Sequence, residues 1–141
     1  MQKGNHMSKL KTILLRQHIG APCEAVVSSG DSVKPGTLIA KPTGLGANIY
    51  ASVSGSIQDV TDSAIIIAAD DDQDEVFVPF EMDNPSYLDC VAAAGIVGMG
   101  GAGFPTAVKL KTDLKGGYIL VNAAECEPLL AHNMQQIMEK P

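Results

Sequence analysis

Hydrophobic residues in the first half of the chain come in short runs that glycine, proline and aspartate interrupt. The candidate strands between Lys11 and Phe80 read KTILLR, CEAVVSS, TLIAK, IYASV, SGSIQDV and AIIIAAD. Turn chemistry separates them at Gly30-Asp31 and Pro35-Gly36, because proline presets φ and glycine accepts positive φ. Strands repeated at about 8 to 12 residues are typical of a small sandwich or barrel. We predict an all-β domain over residues 7–82.

The pattern changes to a helical one after residue 82. Pro85 suits the first turn of a helix and Asn84 is a plausible N-cap, which places the start of a second part near here. The apolar face of this predicted helix consists of Tyr87, Leu88, Val91 and Ala92. A further apolar run, Tyr118–Val121, predicts a buried strand. We therefore predict an α+β chain, with an α/β part over residues 83–141.

A glycine-rich loop lies between the predicted helix and the predicted strand. The sequence GMGGAGFPTAVKL brings Gly98, Gly100, Gly101 and Gly103 close to Lys109. The loop follows a helical segment and its lysine comes six residues after the last glycine, so it fits neither a dinucleotide fingerprint nor a Walker loop. Two explanations stay open: a tight corner between helices, or a phosphate lying against backbone N–H groups.

Polar residues follow the predicted strand directly. Asn122, Glu125 and Glu127 come after Tyr118–Val121, and the carboxyl ends of strands are where α/β sheets bind ligands. The two glutamates could accept hydrogen bonds from ribose hydroxyls, and the asparagine could contact a heterocycle edge. The alternative is that both glutamates are solvated and cap the next helix.

Charge and cysteine content exclude several classes of function. The net charge of −6 argues against nucleic-acid binding, and no apolar run approaches the ~18 residues that span a bilayer. Three scattered cysteines without a CxxC pair predict a reducing cytoplasm, no disulfide framework and no metal site. We interpret Cys23 and Cys90 as core residues, and both His18 and His132 as structural. Cys126 lies between two carboxylates and is a poor nucleophile, so no catalytic side chain is assigned.

The two ends of the chain and the acidic run near residue 70 are not assigned to a functional site. Residues 1–6 are expected to be a cloning remnant before Met7, and HNMQQIMEKP is expected to belong to a longer protein. The acidic run Asp70–Glu75 is interpreted as a solvated hairpin tip between two apolar strands. It lacks the glycine that a calcium loop needs for its sharp turn.

The first half resembles a known fold family. The phrases SSGDSVKPGTLIAKP and IYASVSGSIQDV resemble the two halves of a lipoyl/biotinyl-type barrel-sandwich hybrid, over about Pro22 to Val60. Carrier members of that family bear a modified lysine on an exposed hairpin. The corresponding hairpin here is AKPTGLGANIY, where Lys41 precedes a proline and lacks the usual neighbours. A structural barrel-sandwich domain is therefore expected, and a lipoyl or biotin carrier is a rival hypothesis.

The two motifs of the second half carry a second resemblance. GMGGAGFPTAVKL followed by ILVNAAECEP resembles the FMN- and NADH-binding module shared by two families. These are the C subunits of the Rnf electron-transport complex, which include the Rnf-C-like protein of clostridial proline reductase, and the NADH-binding flavoprotein subunit of complex I. The barrel-sandwich half belongs to the Rnf side, and the resemblance spans Lys11 to Pro141.

This resemblance implies a flavin site residue by residue. The backbone lying against FMN would be that of Gly98, Gly100, Gly101, Ala102 and Gly103. Lys109 would approach the phosphate or the ring, and Asn122 would bond the isoalloxazine. Glu125 and Glu127 would lie at the flavin and the NADH pocket.

The resemblance also implies cofactors and partners for the whole protein. Electrons would pass from NADH through FMN to four-iron four-sulfur clusters that lie downstream in the family. Partners would be the membrane subunits of Rnf or a soluble reductase, with the protein cytoplasmic or peripheral to the membrane and not inserted in it. Complex I has arginine at the position of Met99 and aspartate at that of Ala124, so its contacts there do not transfer. The rival from another class is a docking scaffold without a cofactor.

Overall fold

The computed structural model describes residues 9–79, 81–99, 101–120, 122, 124 and 131–139. The strands are β1 (Lys9–Leu14), β2 (Cys23–Ala25), β3 (Ser32–Val33), β4 (Leu38–Pro42), β5 (Ile49–Tyr50), β6 (Gly55–Val60) and β7 (Ala64–Ala69). The helices are α1 (Tyr87–Ala93), α2 (Thr106–Leu110) and α3 (His132–Glu139). By their internal contacts these residues form two units, Met1–Lys111 and Thr112–Pro141. Both sheets, α1 and α2 belong to the first unit.

Two antiparallel sheets make up the first part of the chain. One has the strand order β1-β7-β6-β3 and the other β2-β4-β5. Strands β1 and β7 pair along their full lengths, from Lys9 opposite Ala69 to Leu14 opposite Ala64. The register of β6 against β7 shifts between Ile57 and Asp59. All pairings are antiparallel, and this agrees with the all-β fold predicted for the first part, whose bounds stay a prediction.

Isoleucine and alanine fill the core of the sheets. The largest side chains that are fully buried are Ile39, Ile57, Ile65 and Ile67. Only 4% of the chain is aromatic, and the buried core cluster of the described residues contains aliphatic side chains and Cys23. Ala40 and Ala51 pack beside them and leave room for their methyl groups. Cys23 is also buried here, as the sequence predicted.

Lys41 lies within a strand and not on the hairpin tip. It belongs to β4, where it is paired with Glu24 of β2. The connection from β4 to β5 follows, over residues 43–48. A carrier lysine has to be presented on a turn that an enzyme can reach, so the position of Lys41 counts against a carrier.

The acidic run is solvated, but it is not the tip of a hairpin. Strand β7 ends at Ala69, and Val76–Val78 form no strand and are exposed. Gln73 instead accepts a hydrogen bond from the Ser54 N–H (2.7 Å), and Asp74 accepts one from the Ser54 hydroxyl (2.7 Å). The prediction of a second strand is wrong for Val76–Val78, where the Val78 N–H makes a backbone bond to the Pro35 carbonyl (2.7 Å) but no strand forms.

Helix α1 begins two residues later than the sequence suggested. Its N-cap is Ser86, and Asn84 lies outside the helix with φ +44°. The Ser86 hydroxyl accepts a bond from the Asp89 N–H (3.2 Å), and the Asp89 carboxylate accepts one from the Ser86 N–H (3.0 Å). This reciprocal capping box satisfies two helix-end donors, which a cap at Asn84 would not do. Val91 is buried, whereas Tyr87 is 78% exposed.

The predicted strand Tyr118–Val121 is wrong for the residues that can be described. Tyr118, Ile119 and Leu120 have no regular structure and are 91%, 75% and 91% exposed; Val121 lies outside the described residues. The described residues of Thr112–Pro141 include no strand that could pair with this segment. Without a neighbouring strand, the backbone N–H and C=O groups of an apolar run have no ladder of hydrogen bonds to join.

Candidate functional site

The glycine loop, Gly98 to Gly103, lies between α1 and α2, and its ends are held together. The Gly98 N–H donates to the Phe104 carbonyl (2.9 Å), and the Thr106 N–H donates to the Ile96 carbonyl (3.0 Å). Val97 and Pro105 form an antiparallel bridge between these two bonds. The loop is therefore closed at its base, and Gly100 lies outside the described residues.

The far side of the loop is anchored on the segment that follows β1. The Ile19 N–H donates to the Ala102 carbonyl (2.8 Å). Gly103 has φ +65°, and a Cβ on it would lie 3.1 Å from the His18 Cα and 3.2 Å from the Gln17 carbonyl oxygen. The positive φ and these close contacts together favour glycine at position 103. They agree with a structural corner, and the predicted role of Gly103 at a flavin stays a prediction.

His18 holds the anchoring segment in place. It is buried, and its Nε2 accepts a hydrogen bond from the Ala47 N–H (3.1 Å). The proton is therefore assigned to Nδ1, which lies 3.1 Å from the Ile19 carbonyl and donates to it. The Cys23 thiol donates to the Ala47 carbonyl (3.3 Å), and burial raises the pKa of this thiol. The structural role predicted for His18 agrees with these bonds.

Other glycines of the loop are not explained by packing. A Cβ on Gly101 would meet no atom of the described residues within 4 Å. A Cβ on Gly98 would meet the Lys109 Nζ at 3.6 Å, an ordinary van der Waals distance. Neither has the positive φ that marks Gly103. A Cβ would fit at both positions, but the Gly98 N–H already donates to Phe104, so only the backbone at Gly101 is open to approach from outside.

An open cavity of about 390 Å³ lies where the loop meets the sheet domain. Its lining residues are Arg16, Gln17, His18, Ile19, Gly101 and Ala102. Sequence reasoning missed Arg16, although it is the only arginine in the chain. Nothing in the local pattern relates position 16 to position 101, because the contact depends on the tertiary fold.

Lys109 faces the loop from α2. Its Nζ lies 5.5 Å from the centre of the Phe104 ring, a cation–π contact, and close to Gly98. The structure thus brings Lys109 close to Gly98, at the base of the loop. A backbone that is free to approach and a nearby ammonium group are what a phosphate needs.

The predicted polar residues after the loop are only partly described. The Asn122 side chain accepts a hydrogen bond from the Ala124 N–H (2.9 Å), a local turn in the unit Thr112–Pro141. Glu125 and Glu127, like Cys126, lie outside the described residues. Their roles at a flavin stay predictions.

Among the residues that the structure describes, no group of three or more His, Cys, Asp or Glu side chains could hold a metal ion. Nor does any helix there have the length and apolar character to cross a bilayer.

Family models match both parts of the chain. The RnfC barrel sandwich hybrid domain matches residues 3–83, more than half of the chain, and the Nuo51 FMN-binding domain matches residues 91–141. The predicted fold class, a barrel-sandwich hybrid followed by part of a flavin-binding module, is thereby confirmed. The predicted resemblance is confirmed as well.

Curated relatives align over most of the chain. It is 42% identical to the C subunit of the proton-translocating ferredoxin:NAD(+) oxidoreductase complex of Clostridium ljungdahlii, covering 90% of this chain and 32% of that protein. It is 38% identical to the C subunit of the Na(+)-translocating complex of Acetobacterium woodii (87% and 32%). It is also 38% identical to the C subunit of the ion-translocating oxidoreductase complex of Rhodobacter capsulatus (95% and 30%). The chain thus spans about a third of the length of these relatives, and the link to proline reductase stays a prediction.

Proposed function

Because the chain belongs to the RnfC family, we propose that it takes part in electron transfer within a ferredoxin:NAD(+) oxidoreductase complex. The relatives named above are C subunits of such complexes or of related ion-translocating ones. In the finer form of the proposal, the whole protein moves electrons between NADH and iron–sulfur carriers by way of FMN. Its partners are other subunits of the complex, which hold it at the cytoplasmic face of the membrane.

The observation that carries the proposal is the open backbone at Gly101. No packing contact inside the described chain requires glycine at this position, and the residue lines the open cavity. A cofactor phosphate can lie against such backbone because no Cβ keeps it away. Lys109, on the other side of the loop, adds a positive charge.

Each part of the loop has its own task in this proposal. The closed base at Gly98 and Phe104 fixes the loop before ligand binding, so less order has to be imposed when the cofactor arrives. Gly103 and Ala102 hold the loop on the sheet domain. FMN, when bound, supplies the hydride and single-electron chemistry, and the protein supplies its position and charge. We assign Asn122, Glu125 and Glu127 to the flavin and NADH contacts on the family resemblance alone.

The test uses the protein as its gene encodes it, purified without oxygen. We expect a flavin spectrum, acid-released FMN, and bleaching by NADH. The variant Gly101→Ala should lose bound flavin and keep its unfolding midpoint, because the added methyl group meets only open space. Lys41→Ala, which removes a charge from β4, is the matched control and should keep its flavin. A protein that stays colourless after incubation with FMN contradicts the proposal.

One observation favours a second function, a docking scaffold without a cofactor. Ala102 and Gly103 are fully accounted for by their contacts with Ile19 and His18, as a plain corner would require. A scaffold would show no flavin in the wild type and an equal tolerance for alanine at positions 98 and 101.

A further inference from the structure

We propose that Arg16 binds the phosphate of the nucleotide cofactor, so that the barrel-sandwich domain itself contributes a residue to the flavin module's site. This inference rests on the proposed function, and it adds a residue that neither loop motif contains. It starts from the open cavity, whose lining includes Arg16 together with Gly101 and Ala102.

The backbone on both sides of Arg16 is fixed. Leu15 is buried; its N–H donates to the Ser63 carbonyl (2.8 Å) and its carbonyl accepts from the Cys23 N–H (2.8 Å). Two residues later, His18 is locked by its bonds to Ala47 and Ile19. Arg16 is thus presented to the cavity by a rigid support, and its position does not depend on the loop.

Arg16 is exposed, and none of the residues that the structure describes forms an ion pair with it. The cavity lining contains no carboxylate that could neutralise it. In a chain of net charge −6, an unpaired arginine beside open glycine backbone favours an anionic ligand.

Phosphate fits this arrangement better than a carboxylate-bearing partner would. The guanidinium group offers a planar fork of N–H donors that matches two phosphate oxygens, and the open backbone at Gly101 allows close approach. The phosphate could come from FMN or from the diphosphate of NADH. Lys109 lies beside Gly98, so the loop has one cation from each domain.

The experiment compares ligands with and without a phosphate. FMN and riboflavin are titrated, by flavin fluorescence, into flavin-free wild-type protein and into Arg16→Ala, both as the gene encodes them. We expect the Kd of FMN to rise by roughly ten- to a hundredfold, since hydrogen bonds to a charged group are lost. The Kd of riboflavin should stay unchanged. Arg16→Lys keeps the positive charge but lacks the planar guanidinium group, so its Kd for FMN should lie between those of the wild type and Arg16→Ala. Lys41→Ala should have the Kd of the wild type.

A second titration separates the two phosphate sources. ADP-ribose carries the diphosphate of NADH without the nicotinamide. If Arg16→Ala weakens ADP-ribose and leaves FMN unaffected, Arg16 binds the phosphates of NADH. If the wild type binds FMN and the variant equals it for all three ligands, the role of Arg16 is refuted and the proposed function stands. A wild type that binds neither FMN nor riboflavin overturns both.

Discussion

The two sheets and the segment around Ile119 have similarly apolar sequences but opposite surroundings. Ile39 and Ile65 are completely buried between strands, whereas Ile119 is 75% exposed between Tyr118 and Leu120, which are exposed further. The difference lies in the neighbours, because every strand of the sheets finds a partner within 60 residues of chain. An apolar run therefore predicts burial only where its partner strands are also present.

The same contrast recurs within the glycine loop. Gly103 is explained by a neighbour in the chain, the His18 backbone, whereas Gly101 has no atom near the position of a Cβ. Packing accounts for the first glycine, and the proposed cofactor accounts for the second. Substitutions at matched positions test both contrasts.

The largest effect is expected in the sheet core. Ile39→Ala should lower the free energy of unfolding by about 2–5 kcal/mol, since it removes buried methyl groups and leaves a cavity. Ile119→Ala should change it by less than about 0.5 kcal/mol, because the side chain is exposed. Urea titrations of both variants give the two values. Equal losses would mean that Ile119 is buried in solution, and the contrast would fail.

A smaller loss of stability is expected for a substitution at Gly103. Gly103→Ala should cost about 1–3 kcal/mol, because alanine is strained at φ +65° and its Cβ would press on the His18 backbone. Gly101→Ala should be neutral within about 0.5 kcal/mol in the absence of ligand. Thermal unfolding of the flavin-free protein measures both. A destabilised Gly101→Ala would show that position 101 is also a packing glycine.

A hydrogen bond between the sheets and α1 should contribute less to the free energy of unfolding than Gly103 does. The Tyr50 hydroxyl donates to the Ala93 carbonyl and accepts from the Asn48 side chain (3.1 Å). Tyr50→Phe should cost about 1 kcal/mol, the net contribution of a typical hydrogen bond. Tyr87→Phe is the matched control, since Tyr87 is largely exposed and should tolerate the change. Urea unfolding of the two variants measures the loss of unfolding free energy. An equal and negligible loss in both would show that the Tyr50 hydrogen bond does not stabilise the fold.

The parts of the molecule that sequence reasoning reached are those set by local chemistry. Strand periodicity and the turns at Gly30 and Pro35 were sufficient for the all-β domain. The N-cap was misplaced because Asn84 and Ser86 are both good capping residues, and only the reciprocal bond with Asp89 separates them. Arg16 could not be found because it meets the loop through a contact across about 85 residues of sequence.

The smallest effect concerns the pH dependence of the capping box. Hydrogen bonds from the Ser86 hydroxyl and N–H, with a contribution from Lys111, hold the pKa of Asp89 below its ordinary value of 3.8. A carboxylate with a lowered folded-state pKa stabilises the fold above its unfolded pKa, and that stability is lost as pH falls through the folded value. Asp89→Asn should therefore flatten the decline of the unfolding free energy below about pH 4. Asp62→Asn, in the exposed turn between β6 and β7, is the matched control for the loss of one surface carboxylate. Urea unfolding midpoints at several pH values between 2 and 6 measure this dependence. Parallel curves for wild type and Asp89→Asn would contradict the prediction, because they would mean that folding does not change proton binding by the Asp89 carboxylate.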